Sequence, residues 1–244
     1  NIGSSAGVKE IVAAARERKI PIRIGVNSGS VAKDKLRRLG MKPETLVESA
    51  LEHVYILEKE GYHEIKISVK ASSVQLTLDS YRLLSKKVDY PFHIGITEAG
   101  SEFSGTIKSA IGIGILLNEG IGDTIRVSLT APPQREISVA REILKSLGLK
   151  KGLKIISCPT CGRTEIDLIR LTRKAEHALR KYRDRDLTVA IMGCIVNGPG
   201  EAREADFGIA GGINEGLLFK KGKILRKVPE ADLLKELIKL IESA

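Results

Sequence analysis

The amino-acid sequence predicts an α/β fold made of two different parts. Strand-like and helix-like segments alternate regularly over residues 1–149, and this alternation stops at about residue 150. Residues 150–244 combine short strands, a hairpin pattern and two helix patterns, which predicts a smaller, separate α+β domain. The basic segment Gly148–Lys154 is the predicted hinge between the two parts.

Four strand–helix units are predicted in the first part. Each strand is a short run rich in β-branched residues, at Ile22–Val26, Ile65–Val69, Phe92–Thr97 and Thr124–Leu129. A helix pattern follows each strand, at Pro43–Glu60, Val74–Lys87, Ser104–Glu119 and Gln134–Leu147. Such alternation predicts parallel strands joined by right-handed crossover connections. Four units fit either a small open sheet or half of a (β/α)8 barrel.

The residues at the strand ends favour the barrel. A polar or glycine-flanked group stands at or just after every strand of the first part. These groups are Asn27-Ser28-Gly29, Lys70-Ala71-Ser72, Glu98-Ala99-Gly100, and Arg126 with Ser128. In a parallel barrel they all lie on the C-terminal rim, where catalytic groups converge. Each one taken alone also fits a helix cap or a turn.

The second part has its own pattern of elements. Strands are predicted at Lys154–Ser157, Leu187–Met192 and Phe207–Ala210, and in a hairpin of Leu217–Lys220 and Lys223–Lys227 around Lys221-Gly222. Helices are predicted at Glu165–Tyr182 and Glu230–Glu242.

Composition limits the function classes. The chain has 244 residues, a net charge of +10 and 4% aromatic residues. Its basic residues are scattered and few aromatics are available for base stacking, which argues against nucleic-acid binding; attraction of a phosphorylated small molecule fits the charge better. Apolar stretches such as Ile111–Leu117 are far shorter than the roughly 20 residues of a membrane span. With no visible signal peptide, a cytoplasmic location is expected.

All three cysteines lie in the second part, after predicted strands. Cys158 and Cys161 share a short turn, and Cys194 precedes a glycine-rich stretch that ends at Glu201. An odd number of cysteines argues against a disulfide framework. The spacing leaves three alternatives open: an iron–sulfur cluster with one non-cysteine ligand, a zinc site that borrows Glu201, or a redox pair that leaves Cys194 idle.

Several segments together resemble the GcpE family. They are residues 21–29, 66–72, 95–100, 107–114 and 122–129 and both cysteine segments, and the similarity runs in order from residue 1 to about residue 222. The resemblance implies an eight-stranded TIM-type barrel followed by an iron–sulfur domain. Only about four of the barrel strands are present, so residues 1–149 are expected to form the C-terminal half of that barrel. Such a half-barrel is expected to expose two sheet edges and an apolar face.

The resemblance also implies the cofactor and the reaction. A [4Fe–4S] cluster would be held in residues 150–244 by Cys158, Cys161, Cys194 and Glu201. The family converts 2-C-methyl-D-erythritol 2,4-cyclodiphosphate to 4-hydroxy-3-methylbut-2-enyl diphosphate in the non-mevalonate isoprenoid pathway. Ferredoxin or flavodoxin supplies two electrons. Family members are homodimers in which the cluster domain of one subunit closes over the barrel of the other.

An anionic cyclic diphosphate substrate explains the residues on the predicted rim. Lys70 can neutralise phosphate, Arg126 can donate two hydrogen bonds to it, and Ser128 lies beside Arg126. Arg23 and Asn27 are weaker candidates for the same pocket. Glu98 is the candidate acid or base, and Glu201 marks the distinctive iron. A salt bridge at Arg126, a turn role for Asn27 and a helix-terminal role for Glu98 remain alternatives.

Two other functions stay open on residues alone. A zinc-stabilised binding module would contain stoichiometric zinc and would be colourless. A nucleic-acid-binding protein would lose affinity steeply with salt.

Overall fold

The structure, a computed structural model, describes residues 5–196 and 198–244, apart from the side chains of Pro199 and Glu201. The chain forms two compact units, divided between Leu147 and Gly148. No helix of the described ranges combines the length and the apolar character that crossing a membrane would require.

The first unit alternates helices and short strands. Its helices are α1 (Ser5–Arg18), α2 (Lys33–Leu39), α3 (Pro43–Lys59), α4 (Val74–Leu84), α5 (Glu102–Asn118) and α6 (Pro133–Ser146). Its strands are β1 (Ile22–Asn27), β2 (Ile65–Lys70), β3 (His93–Ile94) and β4 (Thr124–Ile125). All four predicted strand–helix units are confirmed. The sequence analysis missed α1 and α2 and made the last two strands too long.

The four strands of the first unit run parallel in chain order. β1 pairs with β2 and β3 pairs with β4, and a bridge between Ile67 and Phe92 joins the two pairs. These strands do not close a barrel within the described residues. Directly after β3 the chain approaches its neighbour very closely at Gly95, where a Cβ atom would lie 2.3 Å from the Arg126 carbonyl oxygen. The backbone then turns away through Glu98, whose φ is +51°.

Side chains alternate between two different faces of these strands. Ile24, Val26, Ile67, Val69 and Ile94 are all buried in one apolar core with the helices. The opposite face carries polar or small residues, namely Arg23, Gly25, Asn27, Lys66, Ser68, Lys70, His93, Gly95, Thr124 and Arg126. The expected apolar open face is therefore wrong. A fully covered parallel sheet would be apolar on both faces, so the polar face indicates a role other than packing.

Tyr81 of α4 ties β2 to β3. Its hydroxyl accepts a hydrogen bond from the Val69 N–H at 3.1 Å and donates one to the His93 carbonyl oxygen at 2.8 Å. The side chain is fully buried, and burial raises the pKa of its hydroxyl. One hydroxyl thus satisfies two buried backbone groups at the point where these strands carry the polar face.

The second unit is a mixed five-stranded sheet with helices against it. Its strands are β5 (Leu153–Ser157), β6 (Leu187–Met192), β7 (Phe207–Gly211), β8 (Glu215–Lys220) and β9 (Lys223–Pro229), in that spatial order. Its helices are α7 (Leu168–Leu179), α8 (Gly198–Glu201) and α9 (Leu233–Glu242). β5, β6 and β7 are parallel, whereas β8 and β9 add antiparallel strands. The predicted strands, hairpin and both longer helices are confirmed.

Local chemistry explains the hairpin and the core of the second unit. Lys221 and Gly222 have φ values of +47° and +71°, the left-handed pair that a two-residue hairpin turn requires. Leu233, Leu237 and Ile241 recur at helical spacing along α9 and are fully buried in the core that includes Val189.

We expect Tyr81→Phe to lower the free energy of unfolding by about 2 kcal/mol, because it leaves two buried backbone groups without a partner. Urea denaturation would measure this. Tyr55→Phe is the matched control, since Tyr55 is 65% exposed and does not connect two strands as Tyr81 does. A Tyr81→Phe midpoint equal to that of the Tyr55→Phe protein would contradict the role given to this hydroxyl.

Candidate functional site

Three cations of the first unit gather on its polar face. Arg23 lies on β1, Lys70 ends β2, and Arg126 directly follows β4. Arg23 and Arg126 both act electrostatically on Lys70, which shows that the structure brings these predicted substrate residues together. Within residues 5–196 and 198–244, no carboxylate forms an ion pair with any of the three. A cluster of positive charge without a protein counter-charge attracts anions.

The position of the Arg23 side chain depends on a serine and a glycine. Its Nη1 donates a hydrogen bond of 2.6 Å to the Ser68 hydroxyl, which in turn lies 3.3 Å from the Ile24 carbonyl oxygen. A Cβ atom on Gly25 would lie 2.9 Å from the same Arg23 nitrogen. Gly25 therefore leaves the space in which the guanidinium lies flat along the strand.

Lys70 is the most deeply buried of the three cations, with 6% of its surface exposed. Burial, together with repulsion from Arg23 and Arg126, lowers the pKa of its ammonium to about 8. The group is charged below that value and neutral above it. A bound anion would reverse the repulsion and raise the pKa of Lys70, so anion binding and protonation favour each other.

His93 belongs to the same face, although it is not among the site residues predicted from the sequence. Its Nδ1 lies 2.8 Å from the Thr124 hydroxyl. Burial, together with repulsion from Lys70, Arg23, Lys66 and Arg126, lowers its pKa to about 4. The ring is thus neutral at pH 7. Its place one residue after Phe92, between the buried Phe92 and Ile94, could have been found from the period-2 alternation of the strand.

The other predicted substrate residues lie at the same strand ends. Asn27 is the residue paired with Lys70, and its backbone is fixed by two hydrogen bonds with the Ser30 hydroxyl, at 3.0 and 2.9 Å. Ser128 is half-buried, two residues beyond Arg126. Glu98 is exposed in the loop after β3, and the neighbouring Thr97 N–H bonds to the Ala71 carbonyl oxygen at 3.3 Å.

Glu98 has an unfavourable backbone conformation. Its φ of +51° is uncommon for a residue other than glycine, asparagine or aspartate and costs about 1–2 kcal/mol. Gly100 in the same loop has a φ of +111°. Strain of this kind persists where the surrounding structure imposes it, and it concentrates at functional sites.

Two of the three cysteines lie side by side in the second unit. Cys158 follows β5, Cys194 follows β6, and these strands are parallel neighbours with Ser157 paired to Ile191. The Gly193 N–H donates a hydrogen bond of 3.2 Å to the Cys158 sulfur. Cys194 is buried, with 7% of its surface exposed. The carboxyl ends of the two strands thus place one thiol directly beside the backbone that carries the other.

Cys161 is exposed and reactive. The backbone N–H of Arg163 lowers the pKa of its thiol, with a smaller contribution from the Thr164 hydroxyl. The turn is closed by a 3.0 Å hydrogen bond from the Thr164 N–H to the Cys161 carbonyl oxygen. All three cysteines are free rather than disulfide-bonded. Thiolates are the ligands that iron and zinc both take.

A complete metal site is not assembled by the residues that the structure describes. No group of three or more histidine, cysteine, aspartate or glutamate side chains among them is placed to hold a metal ion. The predicted ligand Glu201 lies in α8, and its side chain is outside the described part of the chain. The donor chemistry nevertheless fits an iron–sulfur group, because Cys158 and Cys194 follow adjacent strands and the Cys158 and Cys161 sulfurs accept backbone N–H bonds.

Comparison with known families decides the assignment. The model described as "GcpE TIM-barrel domain" matches residues 1–141, and "GcpE protein C-terminal domain" matches residues 154–243. The chain belongs to the GcpE family. The resemblance found in the sequence is thereby confirmed.

Curated GcpE relatives align with the whole chain. It is 59% identical to a Clostridium perfringens protein over 245 residues, which are 100% of this chain and 70% of the relative. It is 61% identical to a Geobacter sulfurreducens protein over 244 residues, which are 99% and 69%. A Caldanaerobacter subterraneus protein is 59% identical. All three are named 4-hydroxy-3-methylbut-2-en-1-yl diphosphate synthase (flavodoxin), an oxidoreductase, and the chain is an enzyme of this class.

We expect Gly25→Ala to weaken anion binding about tenfold, because the added Cβ displaces the Arg23 guanidinium and with it a charge-assisted contact. Calorimetric titration with inorganic pyrophosphate would measure the change. Gly29→Ala is the matched control, since nothing lies within 4 Å of the Cβ it would add. Equal affinity in the two variants would contradict the role of Gly25.

Anion affinity should fall as the pH rises from 7 to 9, because Lys70 loses its proton near a pKa of about 8. Lys70→Arg keeps its charge over this range and is the control for ionisation of pyrophosphate itself. The ratio of the two affinities, measured at several pH values, isolates the lysine. A ratio that does not change with pH would show that Lys70 does not titrate in this range.

Proposed function

We propose that the chain carries out the reductive ring opening and dehydroxylation of 2-C-methyl-D-erythritol 2,4-cyclodiphosphate to 4-hydroxy-3-methylbut-2-enyl diphosphate, with electrons delivered through a [4Fe–4S] cluster. The observation that carries the proposal is the cation cluster of Arg23, Lys70 and Arg126, which lacks a carboxylate partner in the described ranges. The names of the relatives support the same reaction and flavodoxin as the donor; ferredoxin remains the alternative donor.

The diphosphate would bind on the polar face of the first unit. Lys70 neutralises phosphate as a point charge, and Arg126 donates two parallel hydrogen bonds. Arg23 is held in place for the same anion by Ser68. The Asn27 amide and the Ser128 hydroxyl add neutral donors beside these charges. Because Lys70 is buried, its interaction with phosphate is screened less by water than that of a surface lysine.

Cys158, Cys161, Cys194 and Glu201 would hold the cluster. When bound, a cluster of this kind would supply electrons one at a time. The chain holds three cysteines in all, so the fourth ligand must be of another type, and a carboxylate is the more weakly bound choice. The backbone N–H groups of Gly193 and Arg163 stabilise negative charge on the sulfurs.

Glu98 is the proposed proton donor. Two electrons break the bond between carbon and the ring oxygen, which stays on the diphosphate, and the hydroxyl leaves as water with one proton. A carboxyl group on the substrate rim can supply that proton. The strained backbone at Glu98 supports this role, because strain of this kind concentrates at functional sites.

The proposal includes a homodimer. The sequence resemblance implies this dimer for the full-length protein. The resemblance favours closure between two subunits.

We expect anaerobically prepared protein to contain about four irons and four sulfides per chain with visible absorption. Cys194→Ser should lose the iron and the turnover together. Glu98→Gln should keep the iron and the colour but lower kcat by ~10²–10⁴-fold, the usual contribution of general acid catalysis. Iron and sulfide content, the visible spectrum and turnover with reduced flavodoxin would be measured for the wild-type protein and for both variants.

Each variant controls for the other, because one loses the metal and the other does not. Stoichiometric zinc without visible absorption after reconstitution would overturn the cluster assignment. Full iron content with undiminished kcat in Glu98→Gln would remove Glu98 from the mechanism and leave the cluster assignment intact.

A further inference from the structure

The hydroxyl of Thr164 has no use in the fold. Its oxygen is buried and forms no hydrogen bond with any residue that the structure describes. It does not cap α7, because Asp167 takes that position and accepts a 3.0 Å hydrogen bond from the Arg170 N–H. A buried hydroxyl without a partner costs about 1–3 kcal/mol, so its retention calls for a ligand.

Thr164 lies between the two cysteine segments. A Cβ atom on Gly193 would be 3.1 Å from its methyl carbon and 3.2 Å from its hydroxyl oxygen. The adjacent Glu165 N–H donates a 3.1 Å hydrogen bond to the Gly193 carbonyl oxygen. Gly193 itself donates to the Cys158 sulfur. The hydroxyl therefore lies where the two cysteine segments contact each other, on the side of the Cys161 turn.

Two other groups already donate to sulfur at this place. The Gly193 N–H bonds to Cys158, and the Arg163 N–H bonds to Cys161. The Thr164 backbone N–H donates a 3.0 Å hydrogen bond to the Cys161 carbonyl oxygen, so its hydroxyl belongs to the Cys161 turn. The proton of that hydroxyl is not used by any residue that the structure describes.

We propose that the Thr164 hydroxyl is a positioning residue that donates a hydrogen bond to a sulfur of the iron–sulfur site and raises its reduction potential. This rests on the cluster assignment in the proposed function. Reduction adds one electron and no proton, so the reduced form carries one more negative charge on iron and sulfur. A hydrogen bond to sulfur stabilises that form more than the oxidised form.

The test is a redox titration of the purified, reconstituted protein with dithionite, followed by electron paramagnetic resonance. Thr164→Val removes the hydroxyl at constant shape, and Thr164→Ala removes it without any risk of overpacking. Thr164→Ser retains the hydroxyl. We expect the reduction equilibrium constant to fall about tenfold in the valine and alanine variants, equivalent to a potential about 59 mV lower for one electron. The serine variant should stay near the wild-type potential.

The outcomes separate the two proposals. Valine and alanine variants with full iron and sulfide content and an unchanged potential would overturn the role of Thr164 while leaving the cluster in place. Wild-type protein that takes up no iron and sulfide would overturn the cluster assignment, and the role of Thr164 with it. A lower potential in both variants, restored in Thr164→Ser, would support the inference.

Discussion

Lys70 carries an ammonium group in a position with 6% of its surface exposed, between two arginines and without a carboxylate partner among the described residues. Burying a charge in this way is costly, and a free lysine would relieve the cost by moving into water. It does not move, because it ends a strand whose alternate residues, Ile67 and Val69, are fully buried against the helices. The packing of one face thus holds the charge on the other, and a bound anion supplies the missing counter-charge.

Close backbone approach positions the functional groups in both units. At Gly25 the missing side chain leaves room for the Arg23 guanidinium, and at Gly193 it leaves room for Thr164. An alanine at either place would collide with the group that the glycine admits. These glycines therefore act through space rather than through an unusual φ, which sets them apart from Gly100, where the left-handed backbone is the requirement.

Both units place their functional groups at the carboxyl ends of parallel strands, although the charges at the two sites differ. In the first unit these ends carry cations, and burial together with repulsion from the cations lowers the pKa of Lys70 and of His93. In the second unit they collect thiols, and backbone N–H groups donate to sulfur. One site is prepared for an anionic ligand, and the other stabilises negative charge on its own sulfurs, as the proposed redox role requires.

The sequence by itself determined the order of elements, the parallel strand–helix units, the hairpin at Lys221-Gly222 and the identity of the rim and cysteine residues, because periodicity and short motifs are local properties. It missed His93, Ser68 and Thr164, and it expected an apolar open face. Only the tertiary structure decided these points. Arg23 and Ser68, which share a hydrogen bond, are 45 residues apart, and Thr164 approaches Gly193 from another segment. Such contacts depend on which strands become neighbours and in which register. No local sequence pattern specifies that pairing.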